Sequence, residues 1–140
     1  MQRSAQQGFT LIEVMVVVVI LGVLGMIIVP NVMGKVDTSK VKTTQISMRS
    51  IAGELNSFKL DNGRYPTTQE GLDALIHQPA NAKNYPQEGY LSNSSLKDSW
   101  DNDFQYVSPG SDGRPYDLYS FGADGKEGGE GNDADLYFEK

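Results

Sequence analysis

The sequence predicts an α+β fold in which a long amino-terminal helix packs on a small antiparallel β-sheet. Three observations lead to this prediction. A nearly uninterrupted apolar run covers residues 14–29, and an amphipathic pattern of helical period follows it. Two short aromatic segments, 104–108 and 116–120, flank a turn that contains Pro and Gly. The chain has no cysteine, so this small domain must be held together without disulfides.

The apolar run predicts a single membrane-spanning helix over residues 9–30. Glu13 is the only charged residue between Phe9 and Val29, and the run has about the 20 residues that such a helix requires. A buried helix of a soluble protein is the alternative. It is disfavoured because no second apolar segment is available to cover it.

Glu13 requires an explanation of its own. An acidic side chain at the edge of a membrane is unfavourable, so it usually has a partner or a function. The apolar run contains no basic residue. The nearest conceivable cation is a free amine on Phe9, in the same chain or in a neighbouring copy, which would exist if the chain were cut after Gly8.

Gly22, Gly25 and Pro30 interrupt the apolar helix. Proline inside a helix removes a backbone hydrogen bond and destabilises the helix by about 3 kcal/mol. Two interpretations remain open from the residues. One is a gentle kink, and the other is a segment between Gly22 and Pro30 that unwinds when subunits pack together.

Residues 31–140 are predicted to form a head domain. Its first part is an amphipathic helix that reaches about residue 61 and continues the helix that starts at Phe9. The pair Asn62-Gly63 suits a left-handed cap and predicts the end of this helix. The predicted buried stripe on the helix consists of Ile46, Met48, Ile51, Ala52, Leu55 and Phe58.

The rest of the head is predicted to be a short helix, a loop and a sheet. Thr67 and Glu70 have the spacing of a capping box, which predicts a short second helix after them. Residues 79–99 are rich in Asn, Pro, Gly and Ser and predict a long variable loop. The aromatic hairpin and a weaker third strand at 136–138 form the predicted sheet, which we expect Trp100 to pack onto the helix.

Charge and composition exclude several function classes. The formal net charge is −6, and it would become −7 if residues 1–8, which carry Arg3, were removed. This acidic balance argues against nucleic-acid binding and is compatible with cation binding. We do not expect an enzyme, because there is one histidine, His77, no cysteine and no glycine-rich phosphate loop. His77 is expected to be a surface residue.

The segment 124–135 combines acidic residues with four glycines. Carboxylates and inward-turned backbone carbonyls are the oxygen ligands that Ca²⁺ prefers in a flexible loop. The spacing does not match an EF-hand. From composition alone, a solvated acidic loop explains this segment at least as well as a calcium site does. Residues 100–140 are predicted to contain both the sheet and this loop.

The amino terminus resembles a known processing signal. The sequence Gly8-Phe9-Thr10-Leu11-Ile12-Glu13-Val14 is similar to the leader junction of type IV pilins and pseudopilins. The resemblance implies a leader peptide, residues 1–8, that prepilin peptidase removes after Gly8 before it methylates the new amino-terminal Phe9. It also implies a bacterial inner-membrane protein with one pass and a carboxy-terminal head in the periplasm, which agrees with the single leader cation.

A wider resemblance covers nearly the whole chain. The head resembles the major pseudopilin, or G-type subunit, of the type II secretion system, a member of the pilin-like superfamily. The segments that carry this resemblance are Phe58-Lys59-Leu60-Asp61-Asn62, Tyr65-Pro66-Thr67-Thr68-Gln69-Glu70-Gly71-Leu72, Gly89-Tyr90-Leu91, Trp100, Gln105-Tyr106, Ser108-Pro109-Gly110 and Gly122-Ala123-Asp124-Gly125. The chain departs from the family at Asp98-Ser99-Trp100-Asp101, where the family has Asp-Pro-Trp-Gly. It also departs at Leu136-Tyr137-Phe138, in place of Gly-Asn-Trp.

This resemblance implies a fibre subunit. The chain would polymerise into a periplasmic pseudopilus that drives folded proteins across the outer membrane, with Glu13 and Pro30 acting in assembly. The implied partners are further copies, minor pseudopilins, the inner-membrane assembly platform, prepilin peptidase and the membrane, without nucleic acid. The resemblance also implies one Ca²⁺, held by the side chains of Asp124, Asp133 and Asp135 and by backbone oxygens of Phe121 and Lys126.

Two other functions compete with the pseudopilus subunit. A type IV pilus subunit for adhesion or motility is disfavoured by the missing cysteine pair and by the acidic loop. A membrane-tethered calcium-binding module that never polymerises is disfavoured by Glu13, because a simple tether needs no carboxylate there.

Overall fold

The structure is a computed structural model that describes residues 8–139, except for the side chains of residues 27–36. It contains one α-helix, α1, Leu11–Asn62, and three β-strands: β1, Gln105–Val107; β2, Asp117–Ser120; and β3, Leu136–Tyr137. The chain divides into two compact units, Met1–Val36 and Asp37–Lys140. The predicted α+β class is confirmed. Residues 1–7 of the predicted leader lie outside the described residues.

The first unit contains the amino-terminal part of α1. The described apolar side chains of this part, from Leu11 to Met26, are exposed, by 80% at Leu11 and 47% at Leu24. The backbone stays helical through Gly22, Gly25 and Pro30, so unwinding within a fibre remains a prediction. Within the described residues, no helix is long and apolar enough to cross a membrane, and the predicted span over 9–30 also remains a prediction.

The second unit has a hydrophobic core built against the rest of α1. Met48, Ile51, Leu55 and Phe58 are at most 1% exposed, as the predicted stripe requires. The prediction was wrong for Ile46, which is 63% exposed. Residues two apart on a helix do not share a face, so Ile46 cannot lie beside Met48. The buried position one turn before Met48 belongs to Thr44, which is polar and therefore did not enter the apolar pattern.

The end of α1 and the turn after it follow the predicted local signals. Gly63 has φ +75°, and its N–H donates to the Lys59 carbonyl at 2.7 Å. The Thr67–Glu70 capping box forms, with the Thr67 N–H 2.8 Å from Glu70 Oε2 and the Glu70 N–H 3.2 Å from Thr67 Oγ1. The helix behind it is only a 3₁₀ turn, Leu72–Leu75, which follows Gly71 with φ +60°.

The loop 79–99 is mostly irregular, as predicted, and includes one 3₁₀ turn, Asn93–Leu96. Asn62 attaches this loop to the end of α1. Its Oδ1 accepts the N–H groups of Lys83 and Asn84 at 3.0 and 3.3 Å, and its Nδ2 donates to the Asn84 carbonyl at 3.0 Å. The helix terminus therefore determines where the loop returns to the core.

The three strands form an antiparallel sheet in the order β1-β2-β3, which confirms the predicted hairpin and third strand. Tyr106 and Leu118 are a cross-strand pair and belong to the core. Tyr119 and Tyr137 pair on the opposite face, where their rings stack with centroids 5.2 Å apart. The prediction that Trp100 packs the sheet onto the helix was wrong, because Trp100 is half-buried and lies outside the core cluster.

Candidate functional site

The amino-terminal junction exposes the predicted processing site. Gly8 and Phe9 precede the helix without regular structure, and Phe9 is 90% exposed. Exposed, irregular segments outside secondary structure are the part of a chain that a protease reaches most readily. The position of these two residues is therefore compatible with cleavage between them.

Glu13 has a partner in its own chain that the sequence reasoning missed. Glu13 Oε2 accepts the Thr10 N–H at 2.7 Å and the Thr10 hydroxyl at 2.9 Å, and the Glu13 N–H donates to Thr10 Oγ1 at 3.3 Å. This is a capping box, and the Thr-x-x-Glu spacing of residues 10–13 was the signal for it. The carboxylate thus satisfies donors at the positive end of α1. Pairing with an amine on Phe9 remains a prediction.

The acidic loop, defined here as residues 121–135, is closed by contacts between its two ends. The Ala123 N–H donates to the Asn132 carbonyl at 2.9 Å. A Cβ on Gly122 would lie 2.6 Å from the Ala134 carbonyl oxygen, so only glycine allows this approach. Asn132 also donates to Asp37 Oδ2 on α1 at 2.8 Å, which ties the loop to the helix.

The predicted calcium ligands lie in this loop, but their carboxylates do not form a single cluster. Asp124 Oδ1 accepts the Lys126 N–H at 3.0 Å, and Asp135 Oδ2 accepts the Gly128 N–H at 3.1 Å. Asp124 and Asp133 are exposed. Among the residues that the structure describes, no group of three or more His, Cys, Asp or Glu side chains is placed to hold a metal ion.

One atom nevertheless makes the loop chemically suitable for a hard cation. Asp135 Oδ1 is buried and has no hydrogen-bond partner. A buried carboxylate oxygen without a donor is unfavourable, and a cation would relieve this. The loop supplies only oxygen ligands, and its glycines at 125, 128, 129 and 131 have positive φ, which gives the carbonyls directions that other residues rarely allow. The residues therefore fit Ca²⁺ in kind, although the carboxylates would have to converge.

Two pairs of charged groups elsewhere in the head contact each other. His77 is exposed, as predicted, and its Nδ1 lies 2.9 Å from Asp73 Oδ1. Arg64 makes two hydrogen bonds to Glu70, at 2.7 and 2.8 Å. These hydrogen bonds from Arg64, followed by those from Thr67, lower the pKa of Glu70 from its ordinary value of 4.5 to about 2.

Comparison with known proteins agrees with this architecture. Residues 31–139 match the family described as type II secretion system protein G, and residues 3–29 match the prokaryotic N-terminal methylation motif. The chain is 52% identical over 139 residues to the type II secretion system core protein G of Pseudomonas aeruginosa, covering 97% of this chain and 96% of that protein. It is 47% identical over 133 residues to the core protein G of Vibrio cholerae, covering 94% and 90% of the two chains.

A solved structure gives the same result for the fold. The crystal structure of the major pseudopilin from the type 2 secretion system of enterohaemorrhagic Escherichia coli matches with a TM-score of 0.65 and 33% identity, covering 77% of this chain and 93% of that one. The family match covers more than half of the chain, and both of the relatives described above exceed 45% identity over at least 90% of their length. The chain therefore belongs to the protein G family of type II secretion systems, the major pseudopilins.

Proposed function

We propose that this chain is the repeating subunit of a periplasmic pseudopilus, a fibre that drives the export of folded proteins across the outer membrane. The observation that carries the proposal is the contrast along α1. Its first part exposes apolar side chains such as Val18 and Leu21, each 62% exposed, whereas its second part is buried in a head with its own core. An exposed apolar surface of this size requires lipid or other apolar helices around it.

The amino-terminal segment is proposed to serve both as a membrane anchor and as the packing surface of the fibre. Before assembly, the apolar helix would lie in the inner membrane with the head in the periplasm. In the fibre, the same helix would pack against helices of other copies. The match to the N-terminal methylation motif supports cleavage after Gly8 and methylation of Phe9 by prepilin peptidase. Minor pseudopilins and the assembly platform are the further partners proposed for this chain.

Glu13 is proposed to act in assembly rather than in insertion. Within one chain its carboxylate caps the helix through Thr10. In a fibre it would pair with the amine of Phe9 from an adjoining copy, because an unpaired amine in an apolar bundle is strongly unfavourable. Both interactions use the same carboxylate, so the capping box holds Glu13 at the helix terminus where that amine would reach it.

The experiment that tests this function is expression of the chain together with a type II secretion system. Intact-mass measurement is expected to show loss of residues 1–8 and one added methyl group, and electron microscopy is expected to show fibres. Glu13→Val should keep the chain in the membrane fraction but abolish fibres. Thr10→Val, which removes the hydroxyl from the cap but keeps the backbone N–H bond to Glu13, should reduce them less. Retention of residues 1–8, or normal fibres from Glu13→Val, would contradict the proposal. Processed, membrane-bound chains that never polymerise would favour a tethered binding module instead.

We also propose that the acidic loop binds one Ca²⁺ through Asp124, Asp133 and Asp135, with backbone oxygens from Phe121 and Lys126. The support is the oxygen-only composition of the loop, its glycines of positive φ and the unpartnered Asp135 Oδ1. When bound, the cation would neutralise the mutual repulsion of these carboxylates. The hydrogen bond from the Ala123 N–H to the Asn132 carbonyl closes the loop. This closure brings the backbone next to Asp124 close to the backbone next to Asp133.

Calcium binding is tested by thermal unfolding of the head in chelator and in calcium. A ligand present at 100 times its dissociation constant stabilises the folded state by about 2.7 kcal/mol. The unfolding temperature should therefore fall by several degrees in excess chelator and recover with Ca²⁺, but less with Mg²⁺, which requires a regular octahedral site. Asp124→Ala should abolish this response, and Asp112→Ala, in the hairpin turn, serves as the matched control. Equal unfolding temperatures with chelator and with calcium would contradict calcium binding.

A further inference from the structure

A buried carboxylate lies in the segment before β1, outside the acidic loop. Asp98 is 8% exposed and is the only buried Asp or Glu among the described residues. Asp98 forms no ion pair with any of the described residues. A buried charge is costly unless it is well hydrogen-bonded, so the donors around Asp98 reveal what it holds in place.

Three donors surround the Asp98 carboxylate. Oδ1 accepts the backbone N–H groups of Trp100 and Asn102, both at 2.9 Å. Oδ2 accepts the hydroxyl of Ser120 at 2.6 Å. Ser120 ends β2 and is fully buried. The carboxylate therefore shapes its own turn with one oxygen and orients the Ser120 hydroxyl with the other.

Ser120 passes this orientation on to the acidic loop. Because its hydroxyl hydrogen is donated to Asp98, its oxygen is free to accept, and it accepts the Gly122 N–H at 3.1 Å. This N–H belongs to the peptide group that also contains the Phe121 carbonyl. The group is planar and trans, so the Phe121 carbonyl must point opposite to the Gly122 N–H, away from the buried Ser120 side chain.

Gly122 is held from its other side as well. Its carbonyl accepts Asn102 Nδ2 at 3.0 Å, and Asn102 is itself bound to Asp98 through its backbone. Gly122 has φ +71°, and it leaves no room for a side chain against Ala134. The Gly122 N–H is therefore connected to Asp98 through Ser120, and the Gly122 carbonyl is connected to Asp98 through Asn102.

We propose that Asp98 and Ser120 are positioning residues for calcium, which direct the Phe121 carbonyl toward the cation by holding the Gly122 N–H. The inference rests on the proposed calcium function of the acidic loop. Neither side chain is itself a ligand. Residues that orient metal ligands typically change metal affinity by about 10–100-fold when they are substituted.

The test compares Ser120→Ala with Thr44→Val in the full chain purified in detergent. Thr44 is also a fully buried hydroxyl residue, and it contacts the same segment through Ser99, at 3.0 Å, but not Gly122. Calcium affinity is measured by isothermal titration calorimetry, and stability is measured by thermal unfolding in chelator. Both variants should unfold at lower temperature in chelator. Only Ser120→Ala should weaken calcium binding, by about 10-fold or more.

The outcomes separate this inference from the calcium proposal. If the unsubstituted chain binds calcium and Ser120→Ala binds it equally well, the positioning role is overturned and the calcium proposal stands. Equal weakening by Thr44→Val would also overturn it, because a general loss of stability would then explain the effect. If the unsubstituted chain does not bind calcium, both proposals fail. Should Ser120→Ala not fold, Asp98→Asn provides a second comparison. It replaces one of the two acceptor oxygens by an NH2 donor, so the side chain can no longer accept the backbone N–H groups with one oxygen and the Ser120 hydroxyl with the other.

Discussion

Glu70→Gln is expected to destabilise the head near neutral pH and to lose that effect in acid. The Glu70 carboxylate accepts two hydrogen bonds from Arg64 and one from the Thr67 N–H, which lies 2.8 Å from Oε2. A glutamine side chain keeps an oxygen for Thr67 but loses the charge that the Arg64 guanidinium pairs with. The variant therefore isolates the ion pair from the capping box.

The magnitude follows from the pKa of Glu70. A lowering from 4.5 to about 2 corresponds to about 3 kcal/mol if it were fully realised as stability. The side chains of Arg64 and Glu70 are 33% and 19% exposed, so solvent screens part of this energy. We therefore expect Glu70→Gln to lower the free energy of unfolding by about 1–2 kcal/mol at neutral pH.

The pH dependence has a definite sign. Because the pKa of Glu70 is lower in the folded head than in the unfolded chain, the ion pair contributes its full stabilisation above about pH 4.5. That contribution is lost as the pH falls from 4.5 toward about 2, where the folded state also becomes protonated. Over this range the difference between Glu70→Gln and the unsubstituted head should shrink toward zero.

The assay is urea unfolding of residues 37–140, the unit that contains the whole described core, from neutral pH to about pH 2.5. Asp73→Asn is the matched control. It replaces a carboxylate by an amide in the His77 pair, whose side chains are 66% and 70% exposed, so its effect should stay below about 0.5 kcal/mol. A Glu70→Gln effect that is equally large in acid, or that is absent at neutral pH, would refute the reasoning.

Three further predictions concern the core and the loop. Leu55→Ala should lower the free energy of unfolding by about 2–5 kcal/mol in the same urea assay, because Leu55 is fully buried, whereas Ile46→Ala should change it by less than about 0.5 kcal/mol. Tyr106→Phe should lower it by about 1 kcal/mol, because the hydroxyl donates to a buried backbone carbonyl at 2.8 Å. Asn62→Ala should speed proteolysis within residues 79–99, measured by limited digestion and mass spectrometry; an unchanged rate would mean that the loop is held elsewhere.

Local sequence signals predicted the elements of this protein well. The apolar run and the amphipathic pattern predicted one long helix, and Asn62-Gly63 predicted its end. Both signals depend only on residues that are close together in the chain, namely the repeat of apolar residues and a glycine in the left-handed conformation. The same is true of the hairpin, whose strands are adjacent in the chain. The processing signal and the family resemblance were likewise local matches of residues and spacing, and the comparisons confirmed the family.

The error in the buried stripe of α1 arose because the polarity of a side chain does not always match its burial. Ile46 is apolar but faces solvent, whereas Thr44 is polar but fully buried. Burial of Thr44 is tolerated because its hydroxyl oxygen accepts the Ser99 N–H. A pattern of apolar residues cannot identify a buried threonine whose partner lies 55 residues away. For Glu13, the Thr-x-x-Glu spacing of residues 10–13 was a capping signal, and the structure shows that this local partner forms.

The sequence by itself therefore determined the helix, the hairpin, the acidic loop and the family, because each depends on residues that are close together in the chain. Only the tertiary structure decided which polar side chains meet inside the head. Asp98 reaches Ser120 across 22 positions, and Asn102 reaches Gly122 across 20. Such contacts exist because folding brings the segment before β1 against the end of β2, and hydrogen bonds of this kind leave no periodic trace in the sequence.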